Sequence, residues 1–298
     1  MGRIMASPPT DPPGFEVGVV TVSYGSEQVL TGFLGSVAGA SRRSSYVVVA
    51  DNLPSPGSEV EKISATARAH YAPMPSNLGY GAAMNAGVAL LPTGIAWVLL
   101  SNPDVVLSPG AIDELIRVAE ADERIASVGP ALLTAEGEVY PSARAVPSLR
   151  TGVGHALFVN LWVENPWTRA YRNDRNAIVA ERDAGWLSGA CLLVRRDVFE
   201  RIGGFDPGYF MYFEDVDLGY RLGKAGYRNV YAPSAVATHS GAHSTNSESG
   251  RMISAHHDSA RRFLNRKYSG ARLWPVRVAL TVGLRLRSAL LRRRNDVG

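Results

Sequence analysis

The stretch Tyr209-Phe-Met-Tyr-Phe-Glu214-Asp215-Val-Asp217-Leu-Gly-Tyr-Arg221 delivers an aromatic run straight into adjacent carboxylates. An Asp-Pro-Gly turn (Asp206 to Gly208) precedes it, and Val216, Leu218 and Leu222 mark a helix with Gly226 just past its end. Acids that follow large aromatics at a helix start sit in a partly dry pocket, the environment that tunes a general base. The same two acids also suit a simpler task, capping the helix and complementing its dipole.

Other residues have types that could do chemistry. Asp104 follows a hydrophobic strand and Asn102-Pro103, a place from which a carboxylate can bind a divalent cation; a turn aspartate looks the same. His239 follows the apolar run Ala235 to Thr238 and opens a Gly/Ser-containing loop, so it is a second candidate ligand or an ordinary structural histidine. The run Asn77-Leu-Gly79-Tyr80-Gly81-Ala-Ala-Met-Asn85 is glycine-rich and opens a helix. Such a turn can offer backbone N–H groups to a phosphate, or can simply let helix and strand pack closely. It has neither the dinucleotide nor the P-loop spacing.

These residues need elements to hold them. Short β-branched runs alternate with helical patterns through the first half, the signature of a parallel α/β sheet. Strands are expected at Val17 to Ser23, Tyr46 to Ala50 and Ala96 to Leu100. Helices are expected up to about Ala40, over Glu59 to Ala69 and Gly81 to Leu91, and from a Ser108 N-cap with Pro109 through about Ala121. Three strands end in polar residues, where ligands of such sheets bind. Residues 131–180 read as a loop-rich insertion, Gly185 to Val194 as a strand, and Asp197 to Ile202 as a short helix.

Composition bounds the rest. A chain of 298 residues with 46% hydrophobic content buries a full core, and no uncharged apolar run is long enough to span a bilayer. Residues 1–15 read as a disordered leader, 16–260 as the main domain and 261–298 as a basic tail. Cys191 is the lone cysteine, which excludes an internal disulfide and fits a reducing, cytoplasmic setting. From residue 261 onward eleven Lys/Arg face one acid, so the net charge of +4 hides an acidic body and a strongly basic end. Over 276–294 a helical pattern sets Val278, Val282, Leu286 and Ala289 opposite Arg277, Arg285, Arg287, Arg292 and Arg294. Leu280, Leu284 and Leu291 lie among the arginines, which suits an anionic membrane surface. No nucleic-acid motif appears, and nothing addresses oligomeric state.

Several pieces in order carry a resemblance: Asn165-Pro-Trp167, GWLSGACLLVRR (185–196), YFMYFEDVDLGYRLGKAG (209–226), VYAPSA (230–235), His239 and AHST (242–245). Over about residues 17–260 the chain resembles the family 2 inverting glycosyltransferases of the GT-A fold. That fold is α/β, with a mostly parallel central sheet flanked by helices; here a C-terminal basic helical extension follows. Within the family the chain is most similar to actinobacterial rhamnosyltransferases acting on polyprenyl-diphospho-N-acetylglucosamine in cell-wall linker assembly.

The resemblance implies dTDP-L-rhamnose or another nucleotide sugar as donor, a polyprenyl-linked acceptor, a divalent cation (Mg or Mn), and a peripheral position on the inner face of the plasma membrane. Thr21, Tyr24 and Asp51 would hold the base and ribose, and Asn77, Gly79, Tyr80, Gly81 and Asn85 would line the donor site. Asn102 and Asp104 stand at the metal-binding acidic motif, with His239 completing it. Trp186, Leu187, Ser188 and Gly189 would face the acceptor and the donor sugar. Asp215 matches the catalytic base, with Glu214 beside it. By charge and position Arg144, with the 147–170 insertion, is a candidate contact to the acceptor diphosphate. Two departures stand out: Asn102 replaces the first acid of the metal motif, and Asp51-Asn52 leads into the proline-stiffened Leu53-Pro-Ser-Pro-Gly57. A different nucleotide sugar and a catalytically silent scaffold stay open as alternatives.

Overall fold

The computed structural model describes residues 14–148, 180–241, 249–275 and 278. Most of the expected leader, the segments holding Asn165-Pro-Trp167 and residues 242–245, and the tail helix apart from residue 278 lie outside the described residues.

Strand β1 (Val17–Ser23) is buried along its whole length, as a strand covered on both faces must be. It leads through α1 (Glu27–Ala40) to β2 (Ser45–Asp51), α2 (Glu59–Thr66) and β3 (His70–Pro73). Ser58 caps α2 by accepting from the Glu61 N–H. Next come α3 (Tyr80–Ala89), β4 (Trp97–Ser101), β5 (Val105–Leu107), α4 (Ala111–Glu120) and β6 (Ile125–Leu133). Short strands β7 (Val139–Tyr140), β8 (Ala143–Arg144), β9 (Arg182–Ala184) and β10 (Trp186–Leu187) precede β11 (Cys191–Arg195). The chain continues through α5 (Arg196–Arg201), α6 (Glu214–Lys224), β12 (Arg228–His239) and α7 (Ser249–Lys267).

Among the described residues the main sheet runs β3-β2-β1-β4-β11-β6-β12-β5, with β7 on β6 and β9 on β12. Neighbours from β3 to β4 pair in parallel, as do β6 and β12, while β11 runs antiparallel to both β4 and β6. One apolar core lies under α1, α2 and α4, around Leu30, Phe33, Val60, Ile112 and Leu115. The other lies under α3, α5 and α6, around Met84, Val88, Phe199, Phe205 and Leu218.

Three expectations need adjustment. Helix α4 is preceded by Gly110 in the left-handed region, and Ser108 lies outside it, contributing its carbonyl to the Ala111 N–H. The strand expected over 185–194 is broken into β10 and β11 at Gly189: Ser188 stays with Ser142 beside β8 and Ala190 with Asn102 beside β4, while Gly189 gives its N–H to Asp215 and its carbonyl to Tyr80. Helix α7 crosses the expected domain boundary at 260/261, and its Phe263 is fully buried against Tyr209 and Val216.

Candidate active site

The break between β10 and β11 organises the site. Gly189 donates its N–H to Asp215 Oδ2 at 3.0 Å, and its carbonyl accepts from the Tyr80 hydroxyl at 2.6 Å. One residue on, the Ala190 carbonyl accepts from the Asn102 N–H at 2.9 Å. Two consecutive residues thus tie the start of α6, the start of α3 and the end of β4 to one point. The Ala190 bond continues the β4–β11 register, while the Gly189 N–H and carbonyl leave the ladder for side chains.

Asp215 sits in the first turn of α6, half-buried, with Oδ1 accepting from the Val216 N–H at 2.8 Å. Burial is the largest influence on its carboxyl and pushes it up; the Gly189 and Val216 N–H groups and the Arg144 charge pull the other way without cancelling it. Glu214 is buried, and its Oε2 has no hydrogen-bond partner. Burial first and the neighbouring Asp215 charge second push this carboxyl up to about 8. Two carboxyls this close in a dry place do not readily both ionise, so the pair holds on to a proton.

Asp104 and His239 meet although 134 residues separate them, because β12 pairs with β5 and brings His239 opposite Val105. Asp104 Oδ1 lies 3.1 Å from His239 Nε2, and Oδ2 accepts from the Gly241 N–H at 3.2 Å. The Asn102 amide is 3.4 Å from the same imidazole nitrogen. Burial pushes the Asp104 carboxyl up, but the His239 contact and nearby backbone N–H groups outweigh it and hold it below its ordinary value. The carboxylate and imidazole suit a divalent ion, since an octahedral site with ~2.1 Å bonds sets adjacent donors about 3 Å apart. Among the described residues no third His, Cys, Asp or Glu joins them, which leaves most of the coordination to oxygens from elsewhere.

The expected donor residues separate into groups. Tyr24 is exposed at the end of β1, while Thr21 is fully buried on the strand face shared with Val17 and Val19. Asp51 is enclosed, its oxygens accepting from the Leu53 N–H at 3.0 Å and the Tyr71 hydroxyl at 2.9 Å. The turn before α3 decides between the phosphate-cradle and packing alternatives for two of its N–H groups. Gly79 N–H goes to Asn77 Oδ1 and Tyr80 N–H to the Phe210 carbonyl. Gly79 has φ +81°, and a Cβ there would run into the Phe210 carbonyl; one at Gly81 would press on Phe205. Asn85 is a brace, donating to the Phe205 carbonyl and accepting from the Phe205 N–H.

On the other side, the Arg144 guanidinium lies over the rings of Tyr140 (5.6 Å) and Trp186 (5.7 Å). Trp186 donates its indole N–H to the Ala145 carbonyl, and Ser188 N–H goes to the Ser142 carbonyl. Leu187 is buried in the core, so its side chain is turned from any acceptor. Sequence reading passed over Ala190, whose contribution is a carbonyl without a residue-type signature. Tyr71 has no such signature either, and Asn52, visible only as part of the departure after Asp51, holds the Gly79 carbonyl with its amide at 3.2 Å. The Asp51–Asn52 pair before the loop was the one available pointer.

Comparison with known proteins identifies the family and the fold. A family model described as "Glycosyltransferase like family 2" matches residues 5–256. The N-acetylglucosaminyl-diphospho-decaprenol L-rhamnosyltransferase of Mycobacterium tuberculosis strain H37Rv is 44% identical over 282 residues, 92% of each chain. Rhamnosyltransferase WbbL of Escherichia coli K12 is 30% identical over 63% of this chain and 71% of its own. Among solved structures, GalNAc-T7 with UDP, GalNAc and Mn2+ superimposes with a TM-score of 0.56 at 13% identity, covering 77% of this chain and 44% of that one. Staphylococcus aureus TarS 1-349 gives 0.54 at 14% identity, covering 87% and 73%. These two likenesses bear on the fold alone, and they agree with the expected GT-A architecture.

Proposed function

This chain belongs to the glycosyltransferase-like family 2, and on that premise we propose that it moves L-rhamnose from dTDP-L-rhamnose onto a polyprenyl-diphospho-N-acetylglucosamine acceptor in cell-wall polysaccharide assembly. The rhamnosyl group and the acceptor are those named for the mycobacterial relative, matched across 92% of both chains; the dTDP carrier rests on the family resemblance. One observation carries the chemistry: the Gly189–Ala190 main chain holds Asp215 on one side and the Asn102–Asp104 turn on the other.

In this reading the acceptor hydroxyl attacks C1 of the rhamnosyl group as Asp215 takes its proton. The bond from C1 to the diphosphate oxygen breaks, and its electron pair leaves with dTDP. Attack from the face opposite the leaving group inverts the anomeric centre, so a β-linked donor gives an α-L-rhamnoside. Asp104 and His239 would hold a divalent cation, Mg or Mn, whose chemistry is to offset charge on the departing diphosphate. Gly189 orients the base, and each Asp215 oxygen keeps a lone pair for the incoming proton. Arg144, anchored over Trp186 and Tyr140, supplies positive charge for the acceptor diphosphate.

Among the described residues no helix is long and apolar enough to cross a membrane. The lipid-linked acceptor is met at the inner surface of the plasma membrane through the basic C-terminal end, where Leu273, Trp274 and Val278 are exposed beside Arg272. Exposed tryptophan with neighbouring arginine is the chemistry of an interfacial anchor.

The test is transfer from dTDP-L-rhamnose to a short-chain polyprenyl-diphospho-N-acetylglucosamine, with and without EDTA, for wild type and Asp215→Asn. Product that disappears with EDTA and in the variant supports the reading. No product from folded, metal-supplied wild type overturns the substrate pair, and normal turnover by Asp215→Asn overturns the base.

A further inference from the structure

Two consecutive aromatic residues, Tyr212 and Phe213, both adopt φ +66°, immediately before Glu214 and Asp215. Bulky side chains occupy this left-handed region only where surrounding structure leaves no alternative. Here the surrounding structure is helix α7. Ser259 donates to the Met211 carbonyl at 2.8 Å, the His256 ring meets Tyr212 at 5.5 Å and Phe213 at 5.4 Å, and Phe263 packs on Phe213 at 5.8 Å.

The polar contacts of α7 fall on both sides of the bend. Arg266 Nη2 donates to Asp206 at 2.6 Å, while Nη1 donates to both oxygens of Asp217 at 2.8 Å. Asp217 is fully buried, lies two residues past Asp215, and is also held by Arg221 at 2.6 Å. Arg262 adds a second contact to Asp206 at 2.9 Å. A single guanidinium therefore spans the segment from Asp206 to Asp217, and a planar fork suits that double engagement where an ammonium does not.

We propose that Arg266 is a positioning residue for the transfer reaction: its guanidinium joins Asp206 to Asp217 and so closes the loop that carries the Tyr212–Phe213 bend and Asp215. The proposal rests on Asp215 being the base. With the bridge in place, Asp215 stays in register with the Gly189 N–H. Without it, the bend relaxes and the base moves off line. Sub-ångström misplacement of a catalytic group lowers turnover far more than it lowers ground-state binding.

Arg266→Lys keeps the charge and removes the fork; Arg266→Met removes both. Arg261→Gln, which loses only a contact to Asp258 within α7, is the control. The first readout is hydrogen exchange by mass spectrometry, which needs no substrate. Both Arg266 variants are expected to speed exchange across residues 206–217 about ten-fold or more, with β1 peptides and the control unchanged. The second readout is transfer: kcat falls about ten-fold or more while the donor KM stays within about two-fold. Exchange that is unchanged, or a lysine variant indistinguishable from wild type, overturns the bridge. If wild type fails with the proposed substrates, the reading of function falls, and the exchange result still decides the bridge.

Discussion

Replacing Glu214 by glutamine tests whether it is the acid of the pair that holds the proton. The folded protein holds this carboxyl up to about 8, against 4.5 in an unfolded chain, by burial and the adjacent Asp215 charge. Below pH 4.5 both states carry the proton and the group is neutral in its effect. As pH rises from 4.5 to about 8, the unfolded chain has released a proton that the folded chain retains. Stability then falls with rising pH by ~1.4 kcal/mol per unit, and the loss is complete above the folded value. Across that window the loss is on the order of 5 kcal/mol. Glutamine has the same shape and never ionises, so the variant escapes the loss. For a chain of this size ~1 kcal/mol moves Tm by about 2 °C, so the variant should melt roughly 10 °C above wild type at pH 9 and within about 2 °C of it at pH 5. Circular dichroism melts at pH 5, 7 and 9 read this directly; titrating groups remote from Glu214 drop out of the difference, and Asp215, coupled to it, does not. Two curves that stay parallel across the range would refute a buried, protonated Glu214. Transfer at pH 7 should survive in the variant, since Asp215 keeps its contacts with Gly189 and Val216.

Three further outcomes follow from the same geometry. Tyr80→Phe removes the 2.6 Å bond to the Gly189 carbonyl; it should destabilise by ~1–3 kcal/mol in a urea titration and lower kcat more than it changes donor KM. Gly79→Ala meets both a positive φ and the Phe210 carbonyl, so it should lower Tm by several degrees, measured beside Gly94→Ala, where φ is positive but the space is open. Cys191 is buried and its thiol is pushed up to about 12, so native protein should resist a thiol reagent that labels it fully in denaturant; rapid native labelling would contradict the burial.

The sequence determined much about this protein by local means. Val17 to Ser23, Tyr46 to Ala50 and Ala96 to Leu100 are apolar runs of strand length, and they form β1, β2 and β4 at nearly those bounds. The spacing of Leu218 and Leu222 likewise marks α6, because that face must reach the core, while Val216 turns to Tyr209 and Phe263. The ordered motifs from 185 to 239 announced the family, since side-chain types near a reaction centre are legible as types.

Only the tertiary structure decided how these pieces meet. An apolar run reads the same in either direction, so nothing in Cys191 to Arg195 says that β11 lies antiparallel between β4 and β6. Strands of two or three residues, such as β8 and β10, are too short to show a period. Gly79 and Gly81 could not reveal from sequence whether they serve a phosphate or close packing, because that depends on Phe205 and Phe210, far along the chain. The pairing of Asp104 with His239 depends on strand pairing between β5 and β12. The hold on Asp215 comes from the Gly189 N–H, a group every residue but proline carries, so its role is invisible until the chain folds around it.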